Sequence, residues 1–267
     1  MSMPLPKETD FPFLKFKDAM DLAVEAYNRI EFIETDPISI PHGFKDPLDK
    51  EVSGLMTALI SWGNRKAILN TARIWMETMD QSPYAFVKSA SPMEIKTLSK
   101  FIYRTLNADD VITLIYLLRK AYQKHSSLEE AFILGFEKGD AMDGIIEFRR
   151  SFLEPIHPAR FGKHVANPQD GSAAKRINMF LRWMVRKDEQ GVDFGLWKRI
   201  PMSKLSIPLD VHSGNTAREF QLLKRIQNDA RSVRELDSNL RLLDPKDPVK
   251  YDFALFGLGV NHKKPII

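Results

Sequence analysis

Apolar residues recur with the period of an α-helix along most of this chain, and no clean run alternates apolar and polar residues. The pattern therefore predicts an all-α protein. Residues 51–79 could form either a helical hairpin or one helix with a kink at Gly63-Asn64. The predicted helices cover residues 13–32, 51–62, 65–79, 92–99, 109–122, 128–136, 142–152, 158–165, 172–187, 211–220, 229–240 and 248–257.

The length of 267 residues allows a sizeable core, either as one large domain or as two smaller ones that share a cleft. We expect two helical subdomains around a cleft, one formed by residues 1–48 and 190–267 and the other by residues 49–189. No apolar run approaches the roughly 18 residues that cross a bilayer. Because the first residues also lack a secretion signal, we expect a cytoplasmic protein without membrane contact.

Cysteine is absent from the chain, which excludes disulfides, thiol catalysis and cysteine-ligated metals or clusters. Glu154 and His157 have the spacing of a metal-binding helix, but prolines crowd them and no second copy of the motif exists. His164 is interpreted as a packing or surface histidine. The sequence therefore predicts neither a metal nor another cofactor.

The helix predicted at 172–187 separates its residues into an apolar face and a polar face. Lys175, Met179, Arg182 and Arg186 fall opposite the apolar face. If this face lies at a cleft, partial cover would favour the free amine of Lys175 as a nucleophile, whereas the alternative is an ordinary solvated basic surface. Asp210 follows 35 residues after Lys175 and can cap the helix at 211–220, which is the plain structural alternative to a catalytic role.

Two motifs in this region resemble the helix-hairpin-helix DNA glycosylase superfamily. Residues 171–175 read Gly-Ser-Ala-Ala-Lys where endonuclease III-like members have roughly Gly-Val-Gly-Arg-Lys, so that Ala173 replaces the second glycine. Residues 209–212 read Leu-Asp-Val-His and resemble the later turn that supplies an aspartate. The long interval between the motifs is similar to that of the archaeal 8-oxoguanine glycosylases, and the whole chain most resembles a bacterial family of unknown activity related to that branch.

The resemblance implies an activity and a partner. Lys175 would attack C1′ of a nucleotide flipped out of damaged or abasic duplex DNA, and Asp210 would stabilise the charge that develops on the sugar. Two alternatives stay open: a non-catalytic nucleic-acid-binding protein of the same fold, and an all-α scaffold for protein interactions. The net charge of +4 is compatible with a polyanionic partner but also with ordinary solubility.

The resemblance also suggests further site residues, each with the alternative of a surface or packing role. The residues expected to contact DNA are Gln169, Gly171, Ser172, Arg182, Asn64 and Arg65, and those expected in a base pocket are Trp62, Asp252 and Phe253. Arg149, Arg150, Arg186 and Lys187 are weaker candidates for phosphate contacts.

Overall fold

The computed structural model describes residues 12–154 and 160–261, and the predicted all-α class is confirmed. Within these residues the chain forms isolated β-bridges but no strand. None of the helices in the described ranges combines the length and apolar character that crossing a bilayer requires. The α-helices are α1 (Lys17–Tyr27), α2 (Ser39–His42), α3 (Pro47–Ile60), α4 (Arg65–Thr78), α5 (Pro83–Ser89), α6 (Pro92–Leu98), α7 (Ala108–Lys124), α8 (Glu129–Lys138), α9 (Ala141–Leu153), α10 (Lys175–Val185), α11 (Val211–Glu219), α12 (Ala230–Leu243) and α13 (Tyr251–Asn261).

Several helix boundaries differ from the predicted ones. The segment 13–32 is divided into a 3₁₀ helix, α1 and the start of a second 3₁₀ helix (Ile30–Thr35). The sequence pattern missed α2 and α5. The four residues of α2 are too few to establish a helical period. Of the helix predicted at 158–165, residues 161–164 form a 3₁₀ turn and residues 158 and 159 lie outside the described ranges.

The segment 51–79 forms two helices rather than one kinked helix. α3 ends at Ile60, Gly63 adopts a φ of 93°, and the Asn64 side chain caps α4 by accepting from the amide of Ala67 at 3.0 Å. A left-handed residue followed by a side-chain cap stops one helix and starts another. The turn between α3 and α4 is therefore short and exposed.

Buried apolar side chains form two clusters. The first surrounds α3 and α10, which pack against each other, and the second is formed mainly by α1, α11, α12 and α13. Apolar residues of 38–44 and 192–205, which the sequence prediction assigns to the other subdomain, belong to the first cluster. Trp197 gives one physical reason, since its indole N–H donates to the buried carboxylate of Glu51 on α3 at 2.7 Å.

Candidate active site

Lys175 is the first residue of α10 and follows a sharp turn at residues 167–174. Gly171 and Ala174 have φ values of 87° and 48°, the second of which costs a residue with a side chain about 1–2 kcal/mol. The sequence predicts Ser172 as the helix cap, but Ala174 occupies that position and Ser172 Oγ accepts from the Ala174 amide at 3.2 Å. The left-handed Ala174 delays the start of the helix and places Lys175 in its first turn.

Asp210 is the cap of α11, as its position before that helix predicts. Its Oδ1 accepts from the amide of Ser213 at 2.9 Å, and Ser213 Oγ accepts from the amide of Asp210 at 2.9 Å. Because the cap uses Oδ1, the second carboxylate oxygen is available for another partner. The same aspartate can therefore be both a structural cap and part of a site.

The ammonium group of Lys175 meets this second oxygen across 35 residues of sequence. Lys175 Nζ donates to Asp210 Oδ2 at 2.8 Å, with side-chain exposures of 37% and 15% respectively. Burial raises the pKa of Asp210, but the charge and hydrogen bond of Lys175 and the hydrogen bonds of Ser213 outweigh it, so the pKa lies below its usual value. Asp210 is thus an ionised partner for Lys175 at neutral pH.

The Lys175–Asp210 pair borders a cavity of about 260 Å³ whose wall includes residues of α4, α10, α11 and α13. The cavity is lined by Phe32, Asp36, Pro37, Ser61, Trp62, Gly63, Arg65, Ile68, Lys175, Met179, Arg182, Pro208, Asp210, His212, Asp252, Phe253, Phe256 and Val260. Lys175, Asp210, Trp62, Asp252, Phe253 and Arg65 are thus brought together as the sequence suggests. Asp36 and His212 line the same cavity, although the sequence pattern predicts no functional role for either.

Two buried carboxyl groups lie in the cavity wall besides Asp210. Burial raises the pKa of Asp252 to about 6, although the positive charge of Arg182 opposes this rise. Burial also raises the pKa of Asp36, which accepts from the amide of Ile38 at 3.1 Å. The wall therefore offers hydrogen-bond acceptors, and at Asp252 a group that exchanges a proton near neutral pH.

Arg182 is a residue of the cavity wall and not the surface phosphate contact that the sequence predicts. It is buried, pairs with Asp252, and lies 3.2 Å from Asp193. Arg186 is buried in the same way, with Asp193 at 3.0 Å and Asp247 at 2.9 Å, so it cannot reach a phosphate at the surface either. The physical reason is that residues following α10 place Asp193 against its polar face.

An exposed aromatic side chain stands at the edge of the cavity. Trp62 is 37% exposed, and the guanidinium of Arg104 lies 4.3 Å from the centre of its ring. Gly63 makes this stacking possible, because a Cβ atom there would lie 1.8 Å from Arg104 Nη1. Arg65 contributes a second cation, 5.8 Å from the ring centre of Phe256. This edge is basic and aromatic, a combination that suits contacts with nucleobases and phosphates.

The 167–174 turn holds the other residues expected to contact DNA. Gln169 and Gly171 are exposed and Ser172 is half-buried. Their amide groups already donate within the turn, to Asn167 Oδ1, to the Pro168 carbonyl and to the Asn167 carbonyl at 3.1–3.3 Å. Contacts between these three amides and a phosphate would therefore require the turn to open.

The described residues contain no group of three or more metal-ligating His, Asp or Glu side chains. Glu154 is exposed, and its proposed partner His157 lies outside the described ranges. His164 is buried, with Nε2 3.1 Å from Asp110 Oδ2.

No curated protein and no solved structure matches the chain. A family model matches residues 36–261, a span that contains every residue lining the cavity except Phe32. This span is most of the chain, and the chain therefore belongs to the family described as Protein of unknown function (DUF2400).

Proposed function

We propose that the protein is a DNA glycosylase with abasic-lyase activity, in which Lys175 is the nucleophile and Asp210 its electrostatic partner. The observation that carries the proposal is the 2.8 Å contact between Lys175 Nζ and Asp210 Oδ2 at the edge of the cavity. A lysine amine beside a fixed carboxylate is suited to Schiff-base chemistry. A merely structural ion pair would not need an adjoining cavity.

The chemistry begins when the Lys175 ammonium, which is 37% exposed, releases a proton to solvent water, after which the lone pair of Nζ attacks C1′ of the sugar. The N-glycosidic bond breaks, and the base leaves with the bonding electrons and takes up a proton. Opening of the sugar ring then gives a protonated imine between Lys175 and C1′. Loss of a C2′ proton from this imine expels the 3′ phosphate and cleaves the strand.

Asp210 acts mainly through its charge in this scheme. Because its pKa lies below the usual value, it is a weak base but a persistent anion. It can therefore stabilise the positive charge that develops on the sugar while the base departs. The cap to Ser213 keeps the carboxylate oriented throughout.

The cavity suits a single flipped nucleobase. Its volume of about 260 Å³ lies near the lower end of the roughly 300–1,000 Å³ of small-molecule sites. Asp36 and Asp252 offer acceptors, Arg182 offers donors, and Trp62 offers a ring face at the edge. DNA is thus the partner we propose, with the base entering the cavity beside Lys175 and Asp210.

Borohydride trapping tests the proposal, because borohydride reduces the imine to a stable amine and leaves the protein covalently attached to DNA. Wild-type protein is incubated with an abasic duplex and with an 8-oxoguanine duplex, and adducts are resolved by denaturing electrophoresis. We expect an adduct with wild type and none with Lys175→Gln. Lys120→Gln is the matched control, since Lys120 is an exposed lysine on α7 that does not line the cavity and should trap normally.

Two results would contradict the catalytic role. One is the absence of any adduct with wild type across a broad panel of lesions, and the other is normal trapping by Lys175→Gln. Salt-dependent binding of wild type to DNA without any adduct would select the non-catalytic nucleic-acid-binding protein instead.

A further inference from the structure

The side chain of Arg218 forms hydrogen bonds with the loop between α11 and α12. The guanidinium of Arg218 donates to the carbonyls of Arg225 at 2.8 Å and Ile226 at 2.6 Å, and to Asn228 Oδ1 at 2.7 Å. A planar guanidinium that satisfies several acceptors at once holds a loop in one shape. We call residues 221–229 the Arg218 loop.

The Arg218 loop lies beside the candidate active site. Asn228 Nδ2 donates to the carbonyl of Asp210 at 2.9 Å, and Ser172 in the 167–174 turn forms a β-bridge with Asp229. The amide of Ala230, directly after the loop, donates to the carbonyl of Gly171 at 3.0 Å. The loop therefore joins the turn before Lys175 to the cap that holds Asp210, and a ligand at that pair would pass close to it.

The outer surface of the Arg218 loop combines an apolar side chain with positive charge. Ile226 is 81% exposed, the highest exposure among the large apolar side chains described, and Lys224 is exposed beside it. Arg225 is paired with Asp229, and the amide of Lys224 donates to Glu235 Oε1 at 2.6 Å. The side chains of Lys224 and Arg218 form no ion pair with a carboxylate in the described part of the chain. The ammonium group of Lys224 is therefore available to an anion, whereas the guanidinium of Arg218 is engaged with the loop.

Backbone amides of the loop can also donate hydrogen bonds to a ligand. The carbonyls of Arg225 and Ile226 face the guanidinium, while the amides of Arg225, Ile226 and Gln227 have no acceptor in the described part of the chain. Exposed amides and a lysine ammonium recognise phosphate oxygens, and an apolar tip packs against the sugars of a groove. One rigid loop thus carries the contacts that a nucleic-acid backbone requires.

We propose that the Arg218 loop is a second contact of the protein with the phosphodiester backbone, beside the nucleotide that enters the cavity. This inference rests on the proposed function for the identity of the ligand as duplex DNA. Lys224 and the loop amides bind phosphate oxygens, and Ile226 packs on the neighbouring sugars. Arg218 is a positioning residue that acts through the loop.

Binding is measured by fluorescence anisotropy on a duplex with a tetrahydrofuran abasic analogue, which has no C1′ leaving group or aldehyde and so separates binding from chemistry. We expect Ile226→Asp to weaken binding about tenfold, because it removes an apolar contact and adds a charge that phosphates repel. We expect Lys224→Gln to reduce the slope of log K against log salt concentration by about 1. Met93→Asp and Lys120→Gln are matched controls on exposed positions of α6 and α7 and should bind as wild type does.

The results distinguish this inference from the catalytic proposal. If wild type binds the analogue and both loop variants bind equally well with an unchanged salt slope, the loop proposal is overturned, even if borohydride trapping succeeds. If binding depends on the loop but wild type traps nothing on reactive DNA, the loop contact stands and the catalytic proposal falls. If wild type binds no duplex at all, both are overturned.

Discussion

Helix α10 carries two acid–base clusters that differ in their surroundings. At its first turn, Lys175 and Asp210 form a partly exposed pair at the cavity edge. Two and three turns later, Arg182 and Arg186 are buried and share Asp193. The sequence places all three cations on one helix face, so the difference arises from what covers each of them.

The two clusters are suited to different tasks. An arginine keeps its proton in proteins, so a buried arginine network is a structural element, whereas a lysine can release its proton and react. The carboxylates differ as well, because the pKa of Asp210 is lowered while burial raises that of Asp252 to about 6. Reactivity is therefore expected at the open end of α10 and rigidity at its closed end.

Removing a cation from the closed end should have the largest effect on stability. Arg186→Ala leaves Asp193, Asp188 and Asp247 with less compensation in a buried site. Breaking such a buried network costs about 3–5 kcal/mol of unfolding free energy. Urea denaturation measures it, with Lys187→Ala as an exposed control expected within about 0.5 kcal/mol of wild type. If Arg186→Ala lost less than about 1 kcal/mol of unfolding free energy, the two ends of α10 would not differ in their contribution to stability.

The carboxyl group of Asp252 should produce an intermediate effect that depends on pH. Its pKa is higher in the folded protein than in the unfolded chain, so wild type loses stability from this group as the pH rises from about 4 to about 6. Asp252→Asn removes that loss. We expect the unfolding free energy of Asp252→Asn, measured relative to that of wild type, to increase by up to about 3 kcal/mol between pH 4 and pH 7.

Asp188→Asn is the control for this pH dependence. Arg186 and Asn28 lower the pKa of Asp188 although burial opposes them, so its contribution to stability is present at neutral pH and lost as the pH falls below about 4. Relative to wild type, this variant should therefore become less stable, not more, as the pH rises from 3. Urea denaturation at several pH values measures the unfolding free energy of both variants. If both free energies changed with pH in the same direction, the raised pKa of Asp252 and the lowered pKa of Asp188 would be refuted.

Removing the cation from the open end should have the smallest effect on stability. Lys175→Gln breaks an ion pair whose lysine is 37% exposed, while Asp210 keeps its cap to Ser213. Partly exposed pairs contribute roughly 0–1 kcal/mol, so the unfolding free energy should change by no more than that. Together with a complete loss of the borohydride adduct, this result would separate catalysis from folding. A loss of several kcal/mol would instead assign Lys175 to the structural network.

Local features of the sequence were sufficient to predict some parts of this site. The helical class follows from the apolar period, and the capping role of Asp210 follows from its position directly before a helix. The cap predicted at Ser172 was wrong, because Ala174 adopts a left-handed backbone and takes the cap position instead. Alanine does not favour this conformation as glycine does, so the residue type gave no sign of it. Turns of this kind depend on the surrounding packing.

Other residues of the site could not be assigned from local pattern. The helical wheel separates Arg182 from the apolar face but cannot reveal that Asp193 covers it. Arg104 follows no motif, and only the tertiary structure shows that it stacks on Trp62, a residue of the cavity edge. Asp36 offered a weak signal, because it is an acidic residue before Pro37 at a break between helices, where the apolar period predicts only a loop.

The sequence by itself determined the helical class and the helix faces, and it singled out Lys175 and Asp210 through their motifs. These properties depend on residues within a few turns of one another. Only the tertiary structure decided that Nζ and Oδ2 lie 2.8 Å apart, that Arg182 and Arg186 are buried, and that the Arg218 loop adjoins the pair. The physical reason is that contacts between distant segments arise when two apolar clusters pack, and burial then decides which charges are fixed and which remain accessible.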